Sequence, residues 1–178
     1  MSAAQAMQVI DSDQTRAMRP AQSHTLNRDA SEYLAFCLGS QTYVVDILKV
    51  QEIRGVERVT RLPNSDGYMR GVINLRGTIV SVIDLRARLG MESIEYTALS
   101  VMIVIMLGDR TFAMVVDSVS DVVQISEDAI RRTPPSGNSV DPRVIAGVGV
   151  VDQRMLLMLD VYRVFQVDVV ADCGQNSA

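Results

Sequence analysis

This chain writes nearly the same pattern twice, about seventy residues apart. Leu38-Gly39-Ser40-Gln41-Thr42-Tyr43 returns as Leu107-Gly108-Asp109-Arg110-Thr111-Phe112, and each copy runs into an apolar stretch that ends Val45-Asp46 or Val116-Asp117. Further on, Gly71-Val72 is followed by Asp84 thirteen residues after the glycine, and Gly147-Val148 by Asp160 at the same interval. A doubled pattern predicts two like-folded halves packed together. The groove between them is then the first place to look for function.

The segments within each half read as strands. Tyr33 to Leu38 and Thr42 to Val45 flank Gly39-Ser40-Gln41; Val72 to Leu75 and Thr78 to Ile83 flank Arg76-Gly77. In the second half, Val101 to Leu107 and Thr111 to Val116 flank Gly108-Asp109-Arg110, while Val148 to Val151 and Met155 to Leu159 flank Asp152-Gln153-Arg154. Glycine at the bends and β-branched residues in the runs are hairpin signals. Short strands in two sets predict a mainly β protein of two small barrels, interrupted by short helices. Asp84 to Gly90 has an Asp start and a Gly stop, as a one- or two-turn helix needs, and Asp160 to Phe165 is its repeat partner. Asn64 to Arg70, after Pro63, reads as a further helical turn. Residues 133–142, with three prolines, read as a loop.

The barrels are expected over 32–166, the first about 32–95 and the second about 96–166, with exchange of strands between them left open. Residues 1–31 and 167–178 lack sustained periodicity and read as disordered tails, with a short amphipathic helix the alternative for the first.

Composition removes most chemistry. The chain has 178 residues and a net charge of −4, a poor footprint for nucleic-acid phosphates or an anionic membrane surface. Its longest apolar run, Val101 to Leu107, is far short of the roughly 20 residues a membrane span needs. Cys37 and Cys173 stand apart, which fits a reducing cytoplasm. The single histidine, His24, lies in the polar N-terminal stretch, so a Ser-His-Asp or Cys-His array would need it in a folded pocket, and a histidine-based metal site has one imidazole to draw on. No glycine-rich phosphate loop occurs. The expectation is a non-enzyme without a cofactor or metal.

Several residues could carry binding. Arg76 sits at a hairpin tip, where it is either a solvated turn arginine or a forked donor to carboxylates. Asp46 to Gly55 reads equally as strand or helix; as a strand it puts Val50 and Glu52 on one face and Gln51 and Ile53 on the other. Val101 to Leu107 is apolar on both faces, so one side faces its own barrel and the other the sister barrel or a partner. The methionines of the second half, Met102, Met106, Met114, Met155 and Met158, read first as core filler. Asp117 and Asp121 could be taken for an acid–base pair, yet a turn and a following strand already account for them.

Five motifs in order carry a family resemblance: Tyr33-Leu34-Ala35-Phe36, Val50-Gln51-Glu52-Ile53-Arg54-Gly55, Arg61-Leu62-Pro63-Asn64, Gly71-Val72-Ile73-Asn74-Leu75-Arg76-Gly77 with Asp84-Leu85-Arg86, and Val115-Val116-Asp117-Ser118-Val119-Ser120-Asp121-Val122 with Gly147-Val148-Gly149. Over roughly 32–166 the chain resembles the CheW-type chemotaxis coupling proteins. The resemblance implies two five-stranded SH3-like barrels and a non-catalytic cytoplasmic adaptor. Its implied partners are the cytoplasmic tip of chemoreceptors, at arrays on the inner face of the membrane, and the regulatory domain of a CheA-type histidine kinase. Carried over by position, receptor contact falls on Val50, Glu52 and Ile53, with Val101 across the groove, and on Arg76, which either touches the receptor or holds the groove. Kinase contact falls on Val59, Arg61 and Arg70. Ser65 and Gly67 depart from the family's usual run before Tyr68. Rival readings are a coupling module of a chemotaxis-like pathway with another output, such as surface motility or development, a small enzyme on the same barrels, and an OB-like oligonucleotide binder.

Overall fold

The glycine-bearing turns fold the chain into hairpins, and the hairpins sort into two sheets. The computed structural model describes residues 30–92, 95–131 and 142–166. In order, these residues form β1 (Ala30–Leu38), β2 (Gln41–Asp46), a 3-10 turn (Ile47–Lys49), β3 (Val50–Gly55), β4 (Met69–Leu75), β5 (Thr78–Asp84), α1 (Leu85–Arg88), β6 (Val101–Leu107), β7 (Arg110–Val116), β8 (Ser118–Ser126), β9 (Ile130–Arg131), β10 (Ile145–Val151), β11 (Arg154–Leu159) and α2 (Val161–Phe165). All four hairpins expected from the turns are present. Both expected helices start on the repeated aspartates: Asp84 Oδ1 accepts the Ala87 N–H at 3.2 Å, and Asp160 Oδ1 accepts the Arg163 N–H at 3.2 Å.

Neither sheet is built from one contiguous half of the chain. One runs β8-β1-β2-β11-β10-β9 and the other β3-β6-β7-β5-β4. The two copies of the repeated hairpin have traded places: β1–β2 lies among second-half strands and β6–β7 among first-half strands. Parallel pairings, β2 with β11 and β5 with β7, stitch each traded hairpin into its host sheet.

The traded hairpins are buried on both faces, and alternation decides which residue serves which core. On β6, Met102 and Val104 join Ile73, Leu75, Val80 and Val82 inside the first barrel. On β1 and β2, Ala35 and Val44 join Val123, Ile125, Leu156 and Met158 inside the second. The opposite faces, with Leu34, Phe36, Leu38, Tyr43 and Val45 from one sheet and Ile103, Ile105, Phe112, Met114 and Val116 from the other, form a third cluster between the sheets. Three cores, the largest of them shared, explain why the apolar run Val101 to Leu107 has no polar face. The methionines divide: Met102 and Met114 are fully buried, Met158 nearly so, while Met106 and Met155 are exposed.

Two expectations are corrected and one that was open is resolved. Asn64 to Arg70 is not helical; two turns occupy 63–64 and 67–68, the Met69 N–H bonds the Asp66 carbonyl at 2.8 Å, and Met69 and Arg70 are already strand. Asp66 and Gly67 favour turns, and pairing with β5 claims the residues that follow. Ala30 and Ser31 belong to β1, paired with Ser126 and Ile125, rather than to a tail. The segment Asp46 to Gly55 is both of the forms left open: one 3-10 turn, capped by Asp46, then a strand. The remainder of both expected tails, and residues 133–141 of the expected loop, lie outside the described residues. No helix among the described residues is long and apolar enough to cross a membrane.

Candidate binding groove

The groove begins with an irregularity on β3. The strand is an edge of its sheet, paired only with β6, and its register shifts between Val50 and Glu52. Val50 pairs with Ile105, Glu52 with Val104 and Ile53 with Ile103. The extra residue breaks the strict alternation expected from the sequence. Val50 and Ile53 therefore lie on the face of Ile103 and Ile105, toward the inter-sheet core, and Glu52 on the face of Val104, toward the first barrel. A regular strand would have put Val50 and Glu52 together.

Val101 is not opposite these residues. It lies on the neighbouring strand, paired with Gly55, and packs half-buried against the inter-sheet core as Val50 does. Ile53 is 44 % exposed and Leu48, in the 3-10 turn before β3, is 88 % exposed. Val50, Ile53 and Val101 thus form one apolar face along β3–β6, with Leu48 beside its Val50 end.

Arg76 meets Glu52 from the far edge of the same sheet. The β4–β5 tip holds Arg76 at φ 50° and Gly77 at φ 91°, and the Gly77 N–H donates to Asn74 Oδ1 at 2.7 Å. This tight tip carries Arg76 Nη2 to 2.7 Å from Glu52 Oε2. The pair joins β3 to the β4–β5 hairpin, closing the barrel that hydrogen bonds leave open. The Arg76 side chain is 70 % exposed and that of Glu52 only 21 %. Glu52 Oε1 is buried without a hydrogen bond, with Arg54 Nη1 at 3.7 Å. The arginine therefore orients a carboxylate that its surroundings otherwise leave under-satisfied.

Val59, Arg61 and Arg70 lie on β4 and on the segment that pairs with it. Thr60 and Val72 exchange backbone hydrogen bonds at 2.9 and 2.8 Å, laying 59–61 against β4. Gly71 permits this approach: it sits at φ +138°, and a Cβ there would lie 2.1 Å from the Thr60 carbonyl oxygen. Val59 packs on the first-barrel core, Arg61 and Arg70 line a shallow cleft with Leu62, Asp66 and Met69, and the Arg70 guanidinium stands 4.9 Å over the Tyr96 ring. Burial, with a hydrogen bond to Asp84 at 2.7 Å, pushes the Tyr96 hydroxyl well above its usual range.

Asp117 and Asp121 are occupied by structure. Asp117 accepts from Arg86 Nε at 2.7 Å, from Arg86 Nη2, and from the Gly39 N–H at 2.7 Å. The Arg86 hydrogen bond holds its carboxyl below the usual carboxylate range, against the opposing effect of burial. Asp121 takes Ser120 Oγ at 2.8 Å and Arg154 Nη2 at 3.2 Å. The Ser120 hydrogen bond, with Arg154 behind it, holds that carboxyl down also. No group of acids, cysteines or histidine among the described residues is placed to hold a metal. Sequence reasoning missed the Arg86–Asp117–Gly39 arrangement; the recurrence of Val-Asp at 45–46 and 116–117 was the available signal.

With this geometry in hand, the chain compares closely with proteins of one kind. The family model for the CheW-like domain matches residues 32–169. A chemotaxis protein CheW of Klebsiella aerogenes is 39 % identical over 140 residues, covering 79 % of this chain and 84 % of that protein. A probable chemotaxis protein CheW of Rhizobium etli is 37 % identical over 141 residues, covering 79 % and 91 %. The crystal structure of the scaffolding protein TtCheW from Thermoanaerobacter tengcongensis superposes with a TM-score of 0.72 at 26 % identity, over 85 % of this chain and 96 % of that one. The chain belongs to the CheW-like family.

Proposed function

We propose that the chain is a non-catalytic chemotaxis adaptor that couples chemoreceptors to a CheA-type histidine kinase, working in the cytoplasm at receptor arrays. The observation that carries the reading is the broken register of β3, which sets apolar Val50 and Ile53 on one side of an exposed edge strand and the Arg76-held Glu52 on the other. An apolar strip bordered by a fixed charge is a groove for an amphipathic helix, and the cytoplasmic tip of a receptor is helical. The kinase contact falls on Val59, Arg61 and Arg70, which sit on β4 and on the segment the Thr60–Val72 bridge lays against it, not on the groove strands β3 and β6. Contacts on different elements allow both partners to be held at once. Each contact can be weak, because repetition across an array raises avidity. Transmission then requires the adaptor to contact the two kinase states differently.

Pull-down with a receptor hairpin fragment tests the groove. Glu52→Arg and Ile53→Asp each abolish capture on this reading, while circular dichroism stays that of the wild type. Retained capture by both refutes the groove. Ile53 is preferred to Val101 for the second change because Val101 also packs against the shared core.

A further inference from the structure

Among the described residues the chain crosses between the two sheets twice, and each crossing is made at a repeated aspartate. Asp46 ends β2 in one sheet and leads through the 3-10 turn into β3 of the other; Asp117 is the single residue between β7 and β8. The two crossings bracket the apolar face of the groove. Val50 follows Asp46 by one 3-10 turn, while Val101 pairs with Val116, the residue before Asp117.

The two ends are held very differently. At the Asp117 end one carboxylate gathers three donors from elements of both barrels: two nitrogens of Arg86 from α1 and the Gly39 N–H from the β1–β2 turn. The side chains are 11 % and 23 % exposed, and the backbone adds a bond from the Asp117 N–H to the Cys37 carbonyl at 3.2 Å. Forked, sheltered pairs of this kind fix geometry. At the Asp46 end the carboxylate accepts the Leu48 N–H two residues on, at 3.0 Å, a tie within one turn; its ion partner is Lys49 Nζ at 3.8 Å, with both side chains about one-third exposed, and Lys49 then lies 5.0 Å over the Tyr162 ring of α2. A lysine at that distance and exposure holds little.

We propose that Asp117 and Arg86 are positioning residues for receptor binding, pinning the Val101 end of the groove so that the angle between the barrels is set there, while the Asp46 end adapts. Neither residue is among those assigned to the groove face, Val50, Ile53 and Val101. The inference rests on the groove assignment above and deepens it, since it says what fixes the groove's shape.

Pulsed electron spin resonance reads the angle directly. Spin labels go on Ile79→Cys in β5 and Met155→Cys in β11, each 65 % exposed and one on each sheet, with Cys37 and Cys173 replaced by serine. Binding of a receptor hairpin fragment is measured on the same proteins, well below their melting transitions. Asp117→Asn broadens the distance distribution and weakens receptor binding about tenfold, roughly the effect of losing one sheltered charged hydrogen bond. Arg86→Lys, which keeps the charge but not the fork, falls between wild type and Asp117→Asn in both readouts and serves if Asp117→Asn does not fold. Asp46→Asn leaves the width unchanged and the affinity within about twofold. A wild-type distribution in both Asp117→Asn and Arg86→Lys overturns the pinning. A broadened distribution with wild-type affinity overturns the positioning role, provided Glu52→Arg abolishes binding. Should Glu52→Arg also bind normally, the groove assignment has failed, and the proposal with it.

Discussion

Replacing Arg76 with alanine separates a structural role from a coupling role. The guanidinium is 70 % exposed, so its ion pair with Glu52 is screened and contributes to folding at the scale of a surface pair, about 0.2–1 kcal/mol. Glu52 is more sheltered, at 21 %, and loses the hydrogen bond that Arg76 donates to it, which brings the cost toward about 1 kcal/mol. For a chain of this size that lowers the melting temperature by roughly 2–4 °C. The consequence for coupling is larger. Without Arg76 the Glu52 carboxylate is free to turn toward Arg54, 3.7 Å from its other oxygen, and the charge that borders the groove is no longer fixed. Receptor-stimulated kinase activity, assayed with receptor and kinase present, is expected to fall about tenfold, equivalent to ~1.4 kcal/mol. A double-mutant cycle with Glu52→Gln should return a coupling energy of about 1 kcal/mol. Additive single effects, or a melting temperature lowered by more than about 8 °C, would refute the reasoning, since either means that Arg76 works elsewhere in the fold.

Gly71→Ala should be the more damaging change although it adds one carbon. The left-handed φ and the 2.1 Å approach to the Thr60 oxygen force the Thr60–Val72 bridge apart, costing about 3 kcal/mol in strain and lost hydrogen bonds and roughly 6–12 °C in melting temperature by calorimetry; kinase binding falls with it, because Val59 and Arg61 lose their seat beside Arg70. Acid should act through Asp117. Its folded pKa lies below the unfolded value near 3.8, so its contribution is complete above that value and disappears as pH falls through the lower folded one. Denaturant unfolding between about pH 5 and pH 2 should show a steeper acid loss for wild type than for Asp117→Asn.

Local features were legible in the sequence and non-local ones were not. Gly39, Gly77 and Gly108 announced hairpins because tight turns need their left-handed backbone, which all three adopt. Asp84 and Asp160 announced helices because a carboxylate can satisfy open N–H groups at a helix start. The exchange of hairpins was left open, since the parallel pairings of β2 with β11 and β5 with β7 join segments far apart in the chain and no local pattern encodes them. Glu52 was singled out, but its face was misread, because one extra residue at Gln51 inverts the alternation and nothing in Val50-Gln51-Glu52 marks a bulge. The groove and kinase positions themselves came from the family resemblance rather than from periodicity. The Arg76–Glu52 pair closes a barrel between its two edge strands, a contact across 24 positions that sequence spacing does not reveal.

The central claim is that one inert body holds two different proteins at once. Size-exclusion chromatography with light scattering, on a mixture of the chain, a receptor hairpin fragment and the kinase regulatory domain, measures it most directly. One species containing all three is expected, losing the receptor fragment with Glu52→Arg and the kinase fragment with Arg70→Glu. Two separate binary complexes that exclude each other, or a receptor–kinase complex of equal strength without the chain, would contradict it.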